Sequence, residues 1–205
     1  IGVLAFINIL YSSYFDFFLN IKSYVITLSL SVIFGFLLFR IGKNSSKKIN
    51  FFEQIFLIIF AYIIVSLLIS LPYYLNIYKI SFIDSVFESF SGVTLTGFTT
   101  FINIKQFDPT LILWRSSSQW IGGLYFLIFL IIIFSNNQYN FKLNHLAHTG
   151  NMGSFSKSNI KSSLFQIFLV YSLLTLLIFV ILNIGSVRLF NSLNLSMSII
   201  SNGGF

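Results

Sequence analysis

Long apolar blocks run along this chain, separated by short polar stretches. Five blocks stand out: Ile1 to about Phe15, about Ser23 to Phe39, Phe51 to Leu71 with Pro72 closing it, Leu111 to Phe134, and Leu164 to about Ile184. All but the first hold roughly 17 to 24 residues, the length a helix needs to cross a hydrocarbon core of about 30 Å. One stretch breaks the plan. Ser81 to Phe101, SFIDSVFESFSGVTLTGFTTF, lies between the third and fourth blocks and is too short and too polar to cross a bilayer. Its pattern predicts about ten helical residues, Asp84 to Val93, and then an extended Thr/Gly segment. Non-helical backbone at membrane depth is tolerated only where protein buries it or where it lines a watery path. A half-helix and a Thr/Gly segment held between two spans is how an ion filter is built.

Composition agrees with a membrane setting. Charged residues make up 8% of the 205 positions and aliphatic and aromatic residues 56%, with 27 Phe. In soluble domains the charged share is about 25%, so the chain reads as an all-α integral membrane protein with the lipid bilayer as its first partner. There is no Cys, which excludes disulfides, thiolate metal sites and a thiol nucleophile. His145 and His148 are the only histidines, and HLAHTGNMG is not spaced as a metal site; it reads as a cytoplasmic loop. With no nucleophile–base pair and no paired intramembrane carboxylates, an enzyme is not expected. No bound cofactor is expected either.

Charge places the loops. Arg40 to Asn50 carries four basic residues and no acid, and Ser135 to Ser163 carries Lys142, Lys157 and Lys161 with no acid. Pro72 to Thr110 sets Lys79 and Lys105 against Asp84, Glu88 and Asp108. Lys and Arg collect on the cytoplasmic side, so the basic loops are expected inside, as is the start of the chain, with the filter-like stretches outside. The net charge of +7 is explained by these loops, not by a nucleic-acid surface. The chain starts without Met and stops inside a filter-like stretch, and is expected to be a fragment of a longer protein.

The plan appears twice. The third block, the Asp84 half-helix, TLTGF and the fourth block form one hairpin; the fifth block, LFNSLNLSMSII and SNGGF begin another. One hairpin cannot enclose a pore, so copies must surround an axis. Potassium in a filter exchanges water for backbone carbonyl oxygens. The expected ligands are the carbonyls of Thr94, Leu95, Thr96, Gly97 and Phe98 in the first copy, and of Ser201, Asn202, Gly203 and Gly204 in the second. Gly97, and Gly203 or Gly204, would supply unusual backbone angles. Each half-helix would turn its partly negative C-terminus to the cation, with Asp84 toward the opposite end of the first. Glu88 is expected to brace the filter from behind. Arg115, at the outer end of its span, is expected to snorkel to the interface, with bracing of the pore mouth as the second reading. Gln119, Gly122 and Gly123 would let that span pack closely against the filter strand.

DSVFESFSGVTLTGF followed by LWRSSSQWIGG resembles the first pore loop and following helix of the Trk/Ktr/HKT potassium-uptake superfamily, specifically its bacterial Trk-type pore subunits. The shared positions are Asp84, Phe87, Glu88, Ser91, Gly92, Thr94, Thr96, Gly97, Leu113, Trp114, Arg115, Gln119, Trp120, Gly122 and Gly123. SIISNGGF is similar to the second filter, with Asn202 where Thr is usual; Tyr171 and Thr175 also fit.

The resemblance implies four helix–pore loop–helix repeats around one pore, preceded by two extra transmembrane helices. Residues 1–50 would be those helices and a basic loop, 51–135 the first repeat, 136–162 a cytoplasmic loop, and 163–205 a truncated second repeat. It further implies potassium uptake across the bacterial cytoplasmic membrane, with or without proton or sodium coupling. The implied partners are a second copy, forming a homodimer, and a cytoplasmic nucleotide-binding regulatory subunit. The gating loop and pore-side Arg of the third and fourth repeats lie outside this chain. The alternative is a non-conducting scaffold or sensor derived from such a transporter.

Overall fold

The computed structural model describes residues 1–43, 50–134 and 160–204. The stretch holding His145 and His148, and most of both basic loops, lie outside them. The described residues are helical, in the order α1 (Gly2–Tyr14), α2 (Ile21–Gly42), α3 (Phe51–Tyr74), α4 (Phe82–Val93), α5 (Pro109–Phe134), α6 (Ile160–Ile184) and α7 (Leu189–Ser201), with 3₁₀ turns at Phe18–Asn20 and Ile104–Gln106. Four of these helices, α2, α3, α5 and α6, are long and apolar enough to cross a membrane. With 13 residues, α1 reaches about 20 Å at 1.5 Å per residue, short of a full span.

Two boundaries differ from the sequence reading. α3 does not stop at Pro72 but runs through it to Tyr74. Proline removes only one intrahelical donor, and this one falls in the last turn, where little helix remains to be disrupted. The Thr/Gly segment after α4, expected to be extended, is instead a turn at Thr94 and Leu95 followed by irregular backbone, with Leu95 and Gly97 at positive φ because the helix cap turns the chain there.

α5 is the central element. It packs against α1, α3, α4, α6 and α7. Its buried side chains include Thr110, Arg115, Ser116, Ser117, Ser118 and Gln119, whereas α2 and α6 turn residues such as Val32, Phe36, Leu173 and Leu177 outward. This arrangement inverts that of a soluble bundle. Lipid tails are as apolar as leucine, so helices associate in a membrane through close packing and polar contacts rather than by hiding apolar surface. The serines satisfy themselves: Ser117 and Ser118 each donate to a carbonyl three residues back in their own helix. Trp114 in the first half of α5 donates to the Ile69 carbonyl of α3 at 3.0 Å, and its ring lies 5.6 Å from that of Tyr24 on α2.

The turn between α1 and α2 sits at the same end of the bundle as the α4 region. Asn20 accepts from the Ile77 amide and donates to the carboxylate of Asp108, a buried residue just before Pro109. Thr110 donates to the same carboxylate at 2.7 Å, and Tyr24 donates to Thr110. Asp108 before a proline is a strong helix-start signal, and here it also ties α2 to the first hairpin.

Candidate functional site

Each half-helix ends in the same way. After α4, the Leu95 amide donates to the Gly92 carbonyl and the Thr96 amide to the Ser91 carbonyl; after α7, Asn202 donates to Ile199 and Gly203 to Ser198. This is the paired bonding of a Schellman cap, which places one residue in the left-handed region. That residue is Leu95 (φ 62°) in the first copy and Asn202 (φ 54°) in the second. Two residues on, Gly97 (φ 73°) and Gly204 (φ 72°) have positive φ again. The interval from Leu95 to Asn202 equals that from Gly97 to Gly204, so Gly204, not Gly203, is the counterpart of Gly97.

The same offset governs the half-helices. Ser85, Ser89 and Ser91 are buried on α4, and Ser192, Ser196 and Ser198 on α7. Ser85 and Ser192 donate four residues back, Ser89 and Ser196 three, and Thr94 and Ser201 four. A hydroxyl bonded to its own helix leaves a small, satisfied surface for close packing. The departure at Asn202 has a backbone reason, since asparagine enters the left-handed region far more readily than most residues.

The two Thr/Gly segments touch at their glycines. A Cβ on Gly97 would lie 2.8 Å from the Gly203 carbonyl oxygen and 3.1 Å from the Gly204 Cα. Thr94, Thr96, Asn202 and Gly204 remain exposed along one side. An open recess of about 480 Å³ borders Asn202, Gly204, Ser198 and Leu195. Both half-helices point their C-terminal carbonyl ends at this region, each equivalent to about half a negative charge.

Behind the first segment, Glu88 is fully buried. It accepts from Thr99 Oγ1 at 2.9 Å, from the Thr100 amide at 3.3 Å and from Arg115 Nε at 2.5 Å. Arg115 therefore does not snorkel. It is only 6% exposed, because a buried carboxylate on α4 supplies the partner that the interface would otherwise provide. Ser91 Oγ donates to the Phe98 carbonyl and Thr96 Oγ1 to Ser91 Oγ, folding the segment back on its own half-helix. Asp84 sits at the far end of α4, bonded to the Ser81 cap.

Behind the second segment the bracing comes from α5. Gln119 Nε2 donates to the Gly203 carbonyl at 2.5 Å, and Ser116 donates to Asn194 Oδ1 on α7. Gly122 and Gly123 meet the ends of the half-helices rather than the Thr/Gly segments themselves. A Cβ on Gly122 would fall 2.9 Å from the Val93 Cα, and one on Gly123 3.0 Å from Ser201 Cβ and 2.5 Å from the Tyr171 hydroxyl. Tyr171 itself donates to the Trp120 carbonyl, and Trp120 to Thr175.

The sequence is similar to those of known proteins. A family described as TrkH, cation transport protein, matches residues 20–205. The chain belongs to the TrkH family. It is 30% identical over 174 residues to an uncharacterized cation transporter of Methanocaldococcus jannaschii, covering 84% of this chain and 35% of that protein. It is 36% identical over 73 residues to the Trk system potassium uptake protein TrkI of Halomonas elongata, covering 36% of this chain and 15% of that one. Against the TrkH protein of the same organism the identity is 27% over 113 residues, 55% of this chain and 23% of the relative. The chain thus spans about a third or less of the length of these relatives. All three carry transporter names, in keeping with a TrkH-family member that is not an enzyme.

Among the described residues of this TrkH-family chain, no cluster of three His, Cys, Asp or Glu side chains could hold a metal ion. Thr99 and the Ser116–Asn194 contact carry no sequence signal of their own. The serines at a constant offset do, once the two half-helices are placed in register.

Proposed function

We propose that residues 1–205 supply the first one and a half of four repeats in a potassium-uptake pore of the bacterial cytoplasmic membrane. Potassium would be ligated by carbonyls of Thr94, Leu95, Thr96, Gly97 and Phe98, and of Ser201, Asn202, Gly203 and Gly204. The observation that carries this reading is the apposition of Gly97 and Gly204, both left-handed and both following a half-helix C-terminus. Such backbone angles turn successive carbonyls toward a common side, where they can replace a shed hydration shell. The names of the Halomonas relatives support potassium as the ion.

In this reading the basic loops face the cytoplasm and the filter faces outward. Ions move down an electrochemical gradient worth about 2.3 kcal/mol per charge for each 100 mV. The full-length protein pairs as a homodimer and is gated by a cytoplasmic nucleotide-binding subunit. The test is growth and rubidium uptake of potassium-uptake-deficient cells carrying the full-length gene at low potassium. Rescue is the expected outcome; a protein that reaches the membrane and moves no ion would instead be a scaffold or sensor.

A further inference from the structure

We propose that Gln119 is a positioning residue for ion selectivity: through its amide, the first repeat sets the Gly203 carbonyl in the second repeat's filter segment. This rests on the reading of both segments as a potassium filter. Gln119 is fully buried on α5, one turn beyond Arg115. Its Nε2 donates to the Gly203 carbonyl, while its Oε1 has no hydrogen-bond partner. Only the NH₂ end can bond a carbonyl, so the orientation of the amide is fixed. An unpartnered buried acceptor disfavours folding, and a leucine would fill similar space without that cost. The amide is therefore retained for its donor.

The two repeats solve the same problem differently. At the position matching Gly203 the first repeat has Thr96, whose hydroxyl is bonded within its own copy, to Ser91. A Cβ on Gly203 would lie 2.6 Å from Gln119 Nε2, so a side chain there would displace the Gln119 amide. The first segment is self-braced and the second is braced from outside. The carbonyl that Gln119 holds is also the atom nearest to where a Gly97 Cβ would stand. One side chain thus fixes the contact between the two filter segments, and selectivity is shared across the repeat boundary.

The test is the potassium-over-sodium permeability ratio of the full-length protein in vesicles, comparing wild type with Gln119→Leu and Gln119→Met. The methionine keeps an unbranched chain of similar length and has no N–H or O–H donor. Losing one hydrogen bond corresponds to about a fivefold change in relative affinity, so both ratios should fall about fivefold while potassium flux persists. Ser117→Ala, whose hydroxyl bonds only within α5, should leave the ratio unchanged. A Gln119 variant that inserts, conducts and keeps the wild-type ratio overturns the proposal; should the leucine variant not accumulate, the methionine variant decides. A wild type that does not distinguish potassium from sodium sinks the filter reading, and this proposal with it.

Discussion

Glu88 and Arg115 form an ion pair at 2.5 Å in which neither side chain is more than 7% exposed. The carboxylate also accepts from Thr99 and the Thr100 amide, so one buried charge pair joins α4, α5 and the backbone leaving the first Thr/Gly segment. Removing one partner strands the other charge, which typically costs about 3–5 kcal/mol, whereas apolar replacement of both is often neutral. Glu88→Gln and Arg115→Met should each lower the unfolding temperature of the detergent-solubilised full-length protein sharply. The double replacement Glu88→Gln with Arg115→Met should cost less than either. Additive losses would mean that the two residues are not coupled.

How far the sequence reveals this is uneven. The spans, the half-helix and the paired Gly-Phe dipeptides are legible because length and periodicity are local properties. The burial of Arg115 is not, since an arginine near the end of a span snorkels by default and its partner lies on another helix, beyond the reach of any local pattern. The targets of Gly122 and Gly123 are equally hidden. Adjacent helix positions point about 100° apart, so which neighbour each one meets is decided by tertiary packing. Leu95 has no sequence cue for a positive φ; the Schellman bonds around it impose one.

The two positive-φ glycines should not be equally sensitive. A Cβ on Gly97 would stand 2.8 Å from the Gly203 oxygen, whereas one on Gly204 would meet Gly97 Cα at 3.4 Å, an ordinary contact. Both substitutions incur about 1 kcal/mol of left-handed strain, but only the first also displaces a carbonyl. Gly97→Ala should therefore reduce the potassium-over-sodium permeability ratio more than Gly204→Ala does. Gly97→Ser should behave like Gly97→Ala. Equal ratios for Gly97→Ala and Gly204→Ala would argue against the contact between the segments.

Asp108 links α2 and the turn before it to the first hairpin through Asn20, Thr110 and Tyr24. Loss of a helix-capping side chain costs about 0.5–2 kcal/mol. Asp108→Ala should lower thermal stability by that order and speed proteolysis between α3 and α5. Asp108→Asn, which keeps the acceptor, should lie between it and wild type. The measurements are melting in detergent and limited digestion of the full-length protein.

Gly122 and Gly123 separate a rigid obstacle from a movable one. An added methyl at 122 meets backbone atoms of Val93, which cannot yield without shifting the whole end of α4. At 123 the nearest atom is the Tyr171 hydroxyl, the tip of a side chain, with Ser201 behind it. Overpacking typically costs about 1–3 kcal/mol, so Gly122→Ala should fall at the upper end and Gly123→Ala lower. Tyr171→Phe deletes the obstructing oxygen along with its bond to the Trp120 carbonyl, a loss of about 1 kcal/mol. In the double variant Gly123→Ala with Tyr171→Phe, the methyl enters the space vacated by that oxygen. Its melting temperature should therefore lie above the sum of the two single effects, whereas no phenylalanine change should rescue Gly122→Ala. Strict additivity at 123 and 171 would show that the methyl is stopped by the Ser201 backbone instead, and that α5 is set against the second half-helix more rigidly than against the first.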